Sequence, residues 1–147
     1  QESKELGYVG KPKRIDIKLL KEIIKKDFVP VITPMGLDDK GFPYNINADT
    51  AAGALAKSIK SRRLILLTDV GGVLDNNDKT VSEINTSQAK ELINNKTIHG
   101  GMIPKVKTCI DAINNGVRAV VIIDGRKPHS ILFELFSDQG SGTLIRK

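Results

Sequence analysis

The stretch that decides the fold is residues 45–74, which read NINADTAAGALAKSIKSRRLILLTDVGGVL. Alanine and leucine recur at helical spacing over residues 48–59, and Asn47 precedes them as a favourable N-cap. The apolar run at residues 64–67 follows, and such a run is typical of a parallel strand buried on both faces. This stretch therefore predicts a helix that leads into a buried strand, with polar and glycine residues at the carboxyl end of that strand.

Helices and short apolar strands alternate along the rest of the chain. Further helices are predicted at residues 17–24, 87–94, 103–115 and 128–136, the first of them with Asp16 as its N-cap. Further strands are predicted at residues 28–33, 117–123 and 143–145. A β-hairpin excursion is predicted within residues 71–84. This order favours an α/β fold, a three-layer αβα sandwich with a mainly parallel central sheet. Ligands of such sheets bind at the carboxyl ends of the strands.

Composition limits the partners that the chain is expected to have. The 147 residues suit one domain, and the formal charge of +6 comes from dispersed lysines and arginines with only 4% aromatic residues. Base-stacking surfaces for nucleic acid are therefore not expected, and no apolar run is long enough to span a bilayer. We predict a cytoplasmic protein without nucleic-acid or membrane partners. A small polyphosphate is compatible with this charge, since it needs only a few cations in one place.

Cysteine and histidine usage argues against a metal site built by the protein. Cys109 is the sole cysteine, which excludes an internal disulfide, and it lies on the apolar face of a predicted helix. His99 and His129 lack the neighbouring thiolates or carboxylates that a metal site needs. We predict a buried, structural Cys109 and no protein metal ligands.

Lys105 lies in the first turn of a predicted helix, directly after Pro104. A cation there is opposed by the helix macrodipole, unless an anion is bound nearby. A phosphate held by residues 100–101, the free amides of that turn and the Lys105 ammonium would supply the anion. A solvated lysine explains the position equally well, so both interpretations stay open.

Asp49 and Asn45 also allow two interpretations. An acidic residue in a first helical turn is stabilising without any ligand, but Asp49 could also orient lysines around a transferring phosphoryl group. Asn45 could donate to a substrate or stabilise a turn. Asp69 directly follows a buried strand and could accept a hydrogen bond from a ribose hydroxyl, with glycines beside it that let a ligand approach the backbone.

Residues 45–52, 68–74 and 100–105, in this order and spacing, resemble the N-acetylglutamate kinases of the amino acid kinase family. The resemblance implies transfer of the ATP γ-phosphoryl group to the side-chain carboxylate of N-acetyl-L-glutamate, a step of arginine biosynthesis. It also implies that residues 1–147 form the C-terminal, ATP-binding lobe, without the N-terminal substrate lobe and its second catalytic lysine. We therefore expect nucleotide binding but little or no turnover by this chain alone.

Under this resemblance, Lys105 stabilises the transferring phosphoryl group, Asp49 organises the catalytic lysines, and Asn45 contacts the acylated amino acid. Mg²⁺ would arrive with the nucleotide phosphates. The residues implied to contact ATP are Thr68, Asp69, Gly71, Val73, Leu74, Gly101, Met102, Ile103 and Lys105.

Residues 125–129, together with Glu134, Gly140 and Gly142, resemble the signature of arginine-inhibited members of the same family. This implies feedback inhibition by arginine, which would bind at His129, Glu134, Gly140 and Gly142. It also implies a homo-oligomer, dimer or hexamer, in the full-length protein. Plant and cyanobacterial members bind a PII signalling protein, which makes PII a candidate partner and a plastid a candidate location.

Two other interpretations remain open. The chain could belong to another amino acid kinase that acts on carbamate, glutamate or aspartate. It could also be a non-catalytic, arginine-binding regulatory module with the same fold.

Overall fold

A computed structural model describes residues 7–138 and 140–147. Its helices are α1 (Lys18–Ile24), α2 (Ala48–Ile59), α3 (Thr86–Asn94), α4 (Met102–Asn114) and α5 (Ser130–Phe136). Its strands are β1 (Val9–Gly10), β2 (Met35–Leu37), β3 (Pro43–Ile46), β4 (Arg63–Thr68), β5 (Glu83–Asn85), β6 (Ala119–Asp124) and β7 (Gly142–Arg146).

The main sheet has four strands in the order β4-β6-β7-β5. The pairs β4/β6 and β5/β7 are parallel, whereas β6/β7 is antiparallel. A smaller sheet has the order β1-β3-β2. The described sheet is thus mixed, with two parallel pairs and one antiparallel pair.

The antiparallel direction of β7 was not predicted. Strand β7 starts beside the carboxyl end of β6, with Gly142 in register with Ile123, and runs back along it until Arg146 lies opposite Ala119. The segment that contains α5 therefore connects two neighbouring strand ends at one edge of the sheet and does not cross to the opposite edge.

Helices cover both faces of this sheet, which confirms the predicted three-layer sandwich. Alternate residues of β6 divide between the two faces: Val120 and Ile122 belong to the main apolar core beneath α2, α3 and α4. Val121 and Ile123 are also buried but lie outside that core, on the face where α5 contacts β6.

Two predictions about strands are wrong. Residues 28–33 form no strand, and Val31 is 95% exposed, because no neighbouring strand pairs with this segment within the described residues. Strand β4 is buried on one face only: Leu64 and Leu66 are buried, whereas Leu67 is exposed. In the described structure β4 is an edge strand, and the short helix α5 leaves part of its second face open.

The predicted local signals are otherwise confirmed or shifted by a few residues. Asn47 caps α2 by accepting a hydrogen bond from the Thr50 amide at 3.1 Å. Helix α1 begins at Lys18, with Asp16 accepting from the Lys18 amide at 2.9 Å, although Ile17 occupies the N-cap position. The predicted hairpin is reduced to a single bridge between Leu74 and Thr80.

Helices α2 and α4 pack side by side and run in the same direction, which positions the site described below. Asp49 contacts Lys105 near their amino ends, and Lys57 forms an ion pair with Asp111 two turns further along. Between these pairs the helices approach closely at Gly53, where a Cβ atom would lie 2.6 Å from the Thr108 methyl group. Because α2 leads into β4 and α4 leads into β6, both helix amino ends lie at the carboxyl edge of these two strands.

Candidate functional site

The centre of the candidate site is an ion pair between the first turns of α2 and α4. The Lys105 Nζ atom donates a hydrogen bond to Asp49 Oδ2 at 2.6 Å, and the two side chains are only 13% and 27% exposed. The bond to Asp49 uses one of the three N–H donors of the ammonium group. A lysine held in this way can still donate to an anion placed at the helix amino ends.

This pair explains how a cation is tolerated in the first turn of α4. Asp49 is favoured by the positive end of the α2 dipole, and its charge offsets the unfavourable field that Lys105 meets in α4. Lys105 is therefore neither freely solvated nor dependent on a ligand for its position. The structure brings together the two residues that were predicted to be catalytic.

The carboxyl ends of β4 and β6 lie at the same edge of the sheet as the Lys105–Asp49 pair. Thr68 is in register with Asp124, and the Gly125 amide donates to the Thr68 carbonyl at 2.8 Å. The Thr68 hydroxyl donates to Asp69 Oδ1 at 3.2 Å, so these two predicted nucleotide contacts lie together. Asp69 is exposed at the end of β4 and is accessible to a ligand.

The glycine turn after β4 is shaped largely by its own packing. Val73 is fully buried, and its amide donates to Thr143 Oγ1 at 2.8 Å. A Cβ atom at Gly71 would lie 2.7 Å from the Thr80 hydroxyl oxygen. The Val73 side chain therefore belongs to the core, and any ligand contact at this residue would have to come from its backbone.

Most of the remaining residues that were predicted to contact ATP lie at the start of α4. Gly101 is exposed at the N-cap position, whereas Met102 and Ile103 are half-buried against the main core. Leu74 is also half-buried and lies in the bridge to Thr80.

Asn45 lies in the smaller sheet, on β3, four residues before Asp49. Asn45 is exposed, and its backbone amide donates a hydrogen bond to the Tyr8 carbonyl at 2.8 Å. No contact between Asn45 and the Lys105–Asp49 pair is present in the described part of the chain, so its substrate-binding role stays a prediction.

Among the predicted arginine-binding residues, Gly140 lies against Glu134, whose carboxylate already has partners. Arg63 donates from Nη1 to Glu134 Oε1 at 3.1 Å, and the Ser141 amide donates to Oε2 at 3.1 Å. A Cβ atom at Gly140 would lie 3.3 Å from Glu134 Oε2, and one at Gly142 would lie 2.0 Å from the Ile122 carbonyl oxygen. The close packing of Gly142 against the backbone of β6 is enough to explain why this residue is a glycine.

His129 stands apart from this cluster. It is exposed, occupies the N-cap position of α5 and has a left-handed backbone with φ of 59°. No side-chain hydrogen bond caps the helix there.

The sequence did not single out Arg63, Thr143 or Asp124 as site residues, and it included Arg126 only in the 125–129 segment of the arginine-inhibition signature. The structure places all four in these clusters. The carboxylate of Asp124 is buried and accepts from the Arg126 amide at 3.0 Å, from its Nε at 3.0 Å and from its Nη2 at 2.9 Å. These bonds, above all those from the Arg126 side chain, lower the pKa of Asp124 to about 2. Position at the end of a buried strand was the one sequence signal available for Asp124.

Cys109 lies one turn after Lys105 in α4 and is fully buried, as predicted. Burial, followed by the negative charge of Asp49, raises the pKa of this thiol to about 12, although Lys105 acts in the opposite direction. We expect iodoacetamide at pH 8 to label the folded chain about a thousandfold more slowly than the same chain in urea, since labelling requires the thiolate. Mass spectrometry would measure both rates, and rapid labelling of the folded chain would contradict a buried Cys109.

Within residues 7–138 and 140–147, no group of three or more His, Cys, Asp or Glu side chains is arranged to hold a metal ion. Among the described helices, none has the length and apolar character needed to cross a membrane.

The fold and its paired lysine and carboxylate at the strand ends define the class of protein. The profile of the amino acid kinase family matches residues 1–124, and the chain belongs to that family. Within it, the chain is 58% identical to the acetylglutamate kinase of Pelagibacter ubique (strain HTCC1062), over 100% of this chain and 51% of that enzyme. It thus spans about half the length of the relatives it matches.

Solved structures agree with this fold. The smu.665 protein of Streptococcus mutans UA159 superimposes with a TM-score of 0.81 and 31% identity, over 99% of this chain and 54% of that one. N-acetylglutamate synthase from Neisseria gonorrhoeae, crystallised with coenzyme A and L-arginine, has a TM-score of 0.89 over 97% of this chain and 33% of that one. At 24% identity, the second comparison establishes the fold alone.

Proposed function

We propose that this chain is the nucleotide-binding half of an acetylglutamate kinase. Such an enzyme transfers the γ-phosphoryl group of MgATP to the side-chain carboxylate of N-acetyl-L-glutamate, and the products are an acyl phosphate and MgADP. The observation that carries the proposal is the Lys105–Asp49 pair at the shared amino ends of α2 and α4. The 58% identity to a named acetylglutamate kinase supports the choice of substrate.

The chemistry of this reaction suits the groups present. A carboxylate oxygen attacks the γ-phosphorus, the bond from that phosphorus to the β,γ-bridging oxygen breaks, and ADP leaves with the electron pair. The acceptor carboxylate is already ionised at neutral pH, so the step needs no general base. Catalysis then depends on positioning and on stabilising negative charge, which cations and helix amino ends supply.

Each residue has a distinct proposed role. Lys105 donates to oxygens of the transferring phosphoryl group, and Asp49 keeps the Lys105 ammonium in place without accepting a proton. Asn45 contacts the acylated amino acid, and Asp69 accepts from the ribose. Magnesium enters as the nucleotide complex, since it commonly keeps waters and phosphate oxygens as ligands.

Binding of MgADP by this chain tests the nucleotide-binding part of the proposal. Calorimetric titration should give saturable one-site binding, whereas adenosine, which lacks phosphates, should bind much more weakly because it cannot use the helix amino ends. A chain that is folded by circular dichroism but shows no MgADP binding would contradict the proposal.

Substrate identity is tested with a chimaeric enzyme. This chain replaces the matching half of the Pelagibacter ubique kinase, and phosphorylation of N-acetyl-L-glutamate is compared with that of glutamate, aspartate and carbamate. We expect preference for N-acetyl-L-glutamate, and little or no turnover by the 147 residues alone, because they match only 51% of that kinase and transfer depends on complete positioning of the phosphates. Preference for another acceptor in a folded chimaera would favour the corresponding amino acid kinase.

The alternative of an arginine-binding module has weaker support. The Glu134 carboxylate, predicted to bind the guanidinium of arginine, already binds the Arg63 guanidinium and the Ser141 amide. Free arginine would have to compete with this internal partner. Arginine inhibition, oligomerisation and binding to a PII protein therefore stay predictions.

A further inference from the structure

Arg126 lies at the same edge of the sheet as the Lys105–Asp49 pair. It follows β6 by two residues, and the loop that carries it is tied to β4 by the hydrogen bond from the Gly125 amide to the Thr68 carbonyl. This edge is where α2 and α4 begin. Arg126 therefore lies at the end of the sheet where the nucleotide is proposed to bind.

The Arg126 guanidinium also lies on the face of the sheet that α2 and α4 cover. Val120 and Ile122 face α2 and α4, and side chains two residues apart on a strand point to the same face. Asp124 continues that series, so its carboxylate lies on the α2 and α4 side. Because the Arg126 guanidinium is bound to this carboxylate, it lies on that side too.

Hydrogen bonds to Asp124 hold the Arg126 fork in one orientation. Its Nε and Nη2 atoms each donate to a different oxygen of the same carboxylate, and the Arg126 amide adds a third bond. The Asp124 side chain is only 6% exposed, whereas that of Arg126 is 66% exposed. A guanidinium fixed in this way loses little rotamer freedom on binding, and its other N–H groups can reach an anion.

Electrostatics favour a charged Arg126 at this position. The hydrogen bonds to Asp124 raise the pKa of Arg126, and the negative charge of Asp69 raises it further. Asp69 is the residue proposed to bind the ribose. The charge of Arg126 thus interacts with that of Asp69, which is expected to lie beside the ribose. The nucleotide phosphates are attached to this ribose.

We propose that Arg126 is a second cation of the phosphate site and binds an oxygen of the nucleotide polyphosphate together with Lys105. This inference rests on the proposed function. Lys105, at the helix amino ends, serves the phosphoryl group that is transferred. Arg126, at the strand ends and near Asp69, serves the phosphates closer to the ribose.

The test is titration of Arg126→Ala with MgADP and with adenosine. Loss of a charge-assisted hydrogen bond should weaken MgADP binding roughly tenfold or more and leave adenosine binding unchanged. The matched control is Arg146→Ala: Arg146 is 59% exposed, also pairs with a carboxylate, that of Glu83, and lies at the opposite edge, in register with Ala119. This control should keep wild-type affinity for MgADP.

A second variant covers the case in which Asp124, left without its partner, prevents folding. Arg126→Lys keeps the charge but loses the bidentate fork, so MgADP affinity should fall by about threefold or more. Unchanged MgADP affinity in a folded Arg126→Ala chain, or in Arg126→Lys if the alanine variant does not fold, would overturn the inference, as would equal weakening for adenosine. Failure of the wild-type chain to bind MgADP would overturn the proposed function and this inference together.

Discussion

Replacing Lys105 by alanine is expected to weaken binding of MgAMP-PNP, a non-hydrolysable ATP analogue that keeps the γ-phosphoryl position, about 10- to 150-fold, which corresponds to about 1.5–3 kcal/mol for a hydrogen bond to a charged group. The substitution removes the ammonium between the two helix amino ends and leaves Asp49 without its partner. The remaining carboxylate would then repel the nucleotide phosphates. Both effects act in the same direction, so we expect this variant to lose more affinity than any single substitution elsewhere in the site.

The same substitution should have a larger effect on turnover in the chimaeric enzyme. Negative charge shifts among the phosphate oxygens during transfer, and removal of one preorganised donor typically lowers kcat by about 10²–10³. Initial rates of N-acetyl-L-glutamate phosphorylation would measure this loss. Retention of wild-type kcat and MgAMP-PNP affinity would show that Lys105 has only a structural role.

Lys57→Ala is the matched control for Lys105→Ala. Lys57 also bridges α2 and α4 through an ion pair, with Asp111, but this pair lies two turns away from the helix amino ends. The Lys57 variant should keep MgAMP-PNP affinity and turnover close to wild type. An equal loss in both variants would mean that the effect of Lys105→Ala comes from weakened helix packing.

Gly142→Ala is expected to prevent folding, or to lower the free energy of unfolding by more than about 4 kcal/mol. A Cβ atom at position 142 would lie 2.0 Å from the Ile122 carbonyl oxygen and 3.0 Å from the Ile123 Cα atom. These are backbone atoms of the central strand β6 and cannot move aside as a flexible side chain can. The clash would separate β7 from β6, and β5 is attached to the sheet through β7.

Urea unfolding followed by circular dichroism would measure this effect, with Gly101→Ala as the control. A Cβ atom at Gly101 would meet nothing within 4 Å, and its φ of −65° is accessible to alanine. The Gly101 variant should therefore unfold within about 1 kcal/mol of wild type. If the Gly142 variant were equally stable, the close contact between β6 and β7 would be wrong.

Elements with local signals were predicted most accurately. Helix α2 starts and ends where its cap and periodicity placed it, and α4 differs from its predicted bounds by one residue at each end. Caps and apolar spacing act within a few residues, so the sequence contains the information needed. The run at residues 28–33 has the composition of a strand, but a strand also requires a neighbour, and the sequence does not specify one.

Local sequence signals singled out Lys105 and Asp49 as candidates, and only the family resemblance implied that they interact. Lys105 and Asp49 were each ambiguous, since a helix amino end explains a carboxylate without a ligand and a solvated lysine explains a cation. Their 2.6 Å hydrogen bond joins residues 56 positions apart and removes much of that ambiguity. Glu134 shows the opposite case: its chemistry suits a guanidinium, and the fold supplies one from Arg63, 71 positions away.

By itself, the sequence determined the αβα class and the placement of polar and glycine residues after buried strands, because periodicity, caps and strand composition are local properties. It also determined that Lys105 would start a helix. Tertiary structure alone decided that α2 and α4 lie side by side, that β7 runs against β6, and that Arg126 folds onto Asp124 beside the site. These outcomes depend on strand pairing, close approach of backbones and ion pairing between side chains, and those distances are set only when the elements pack.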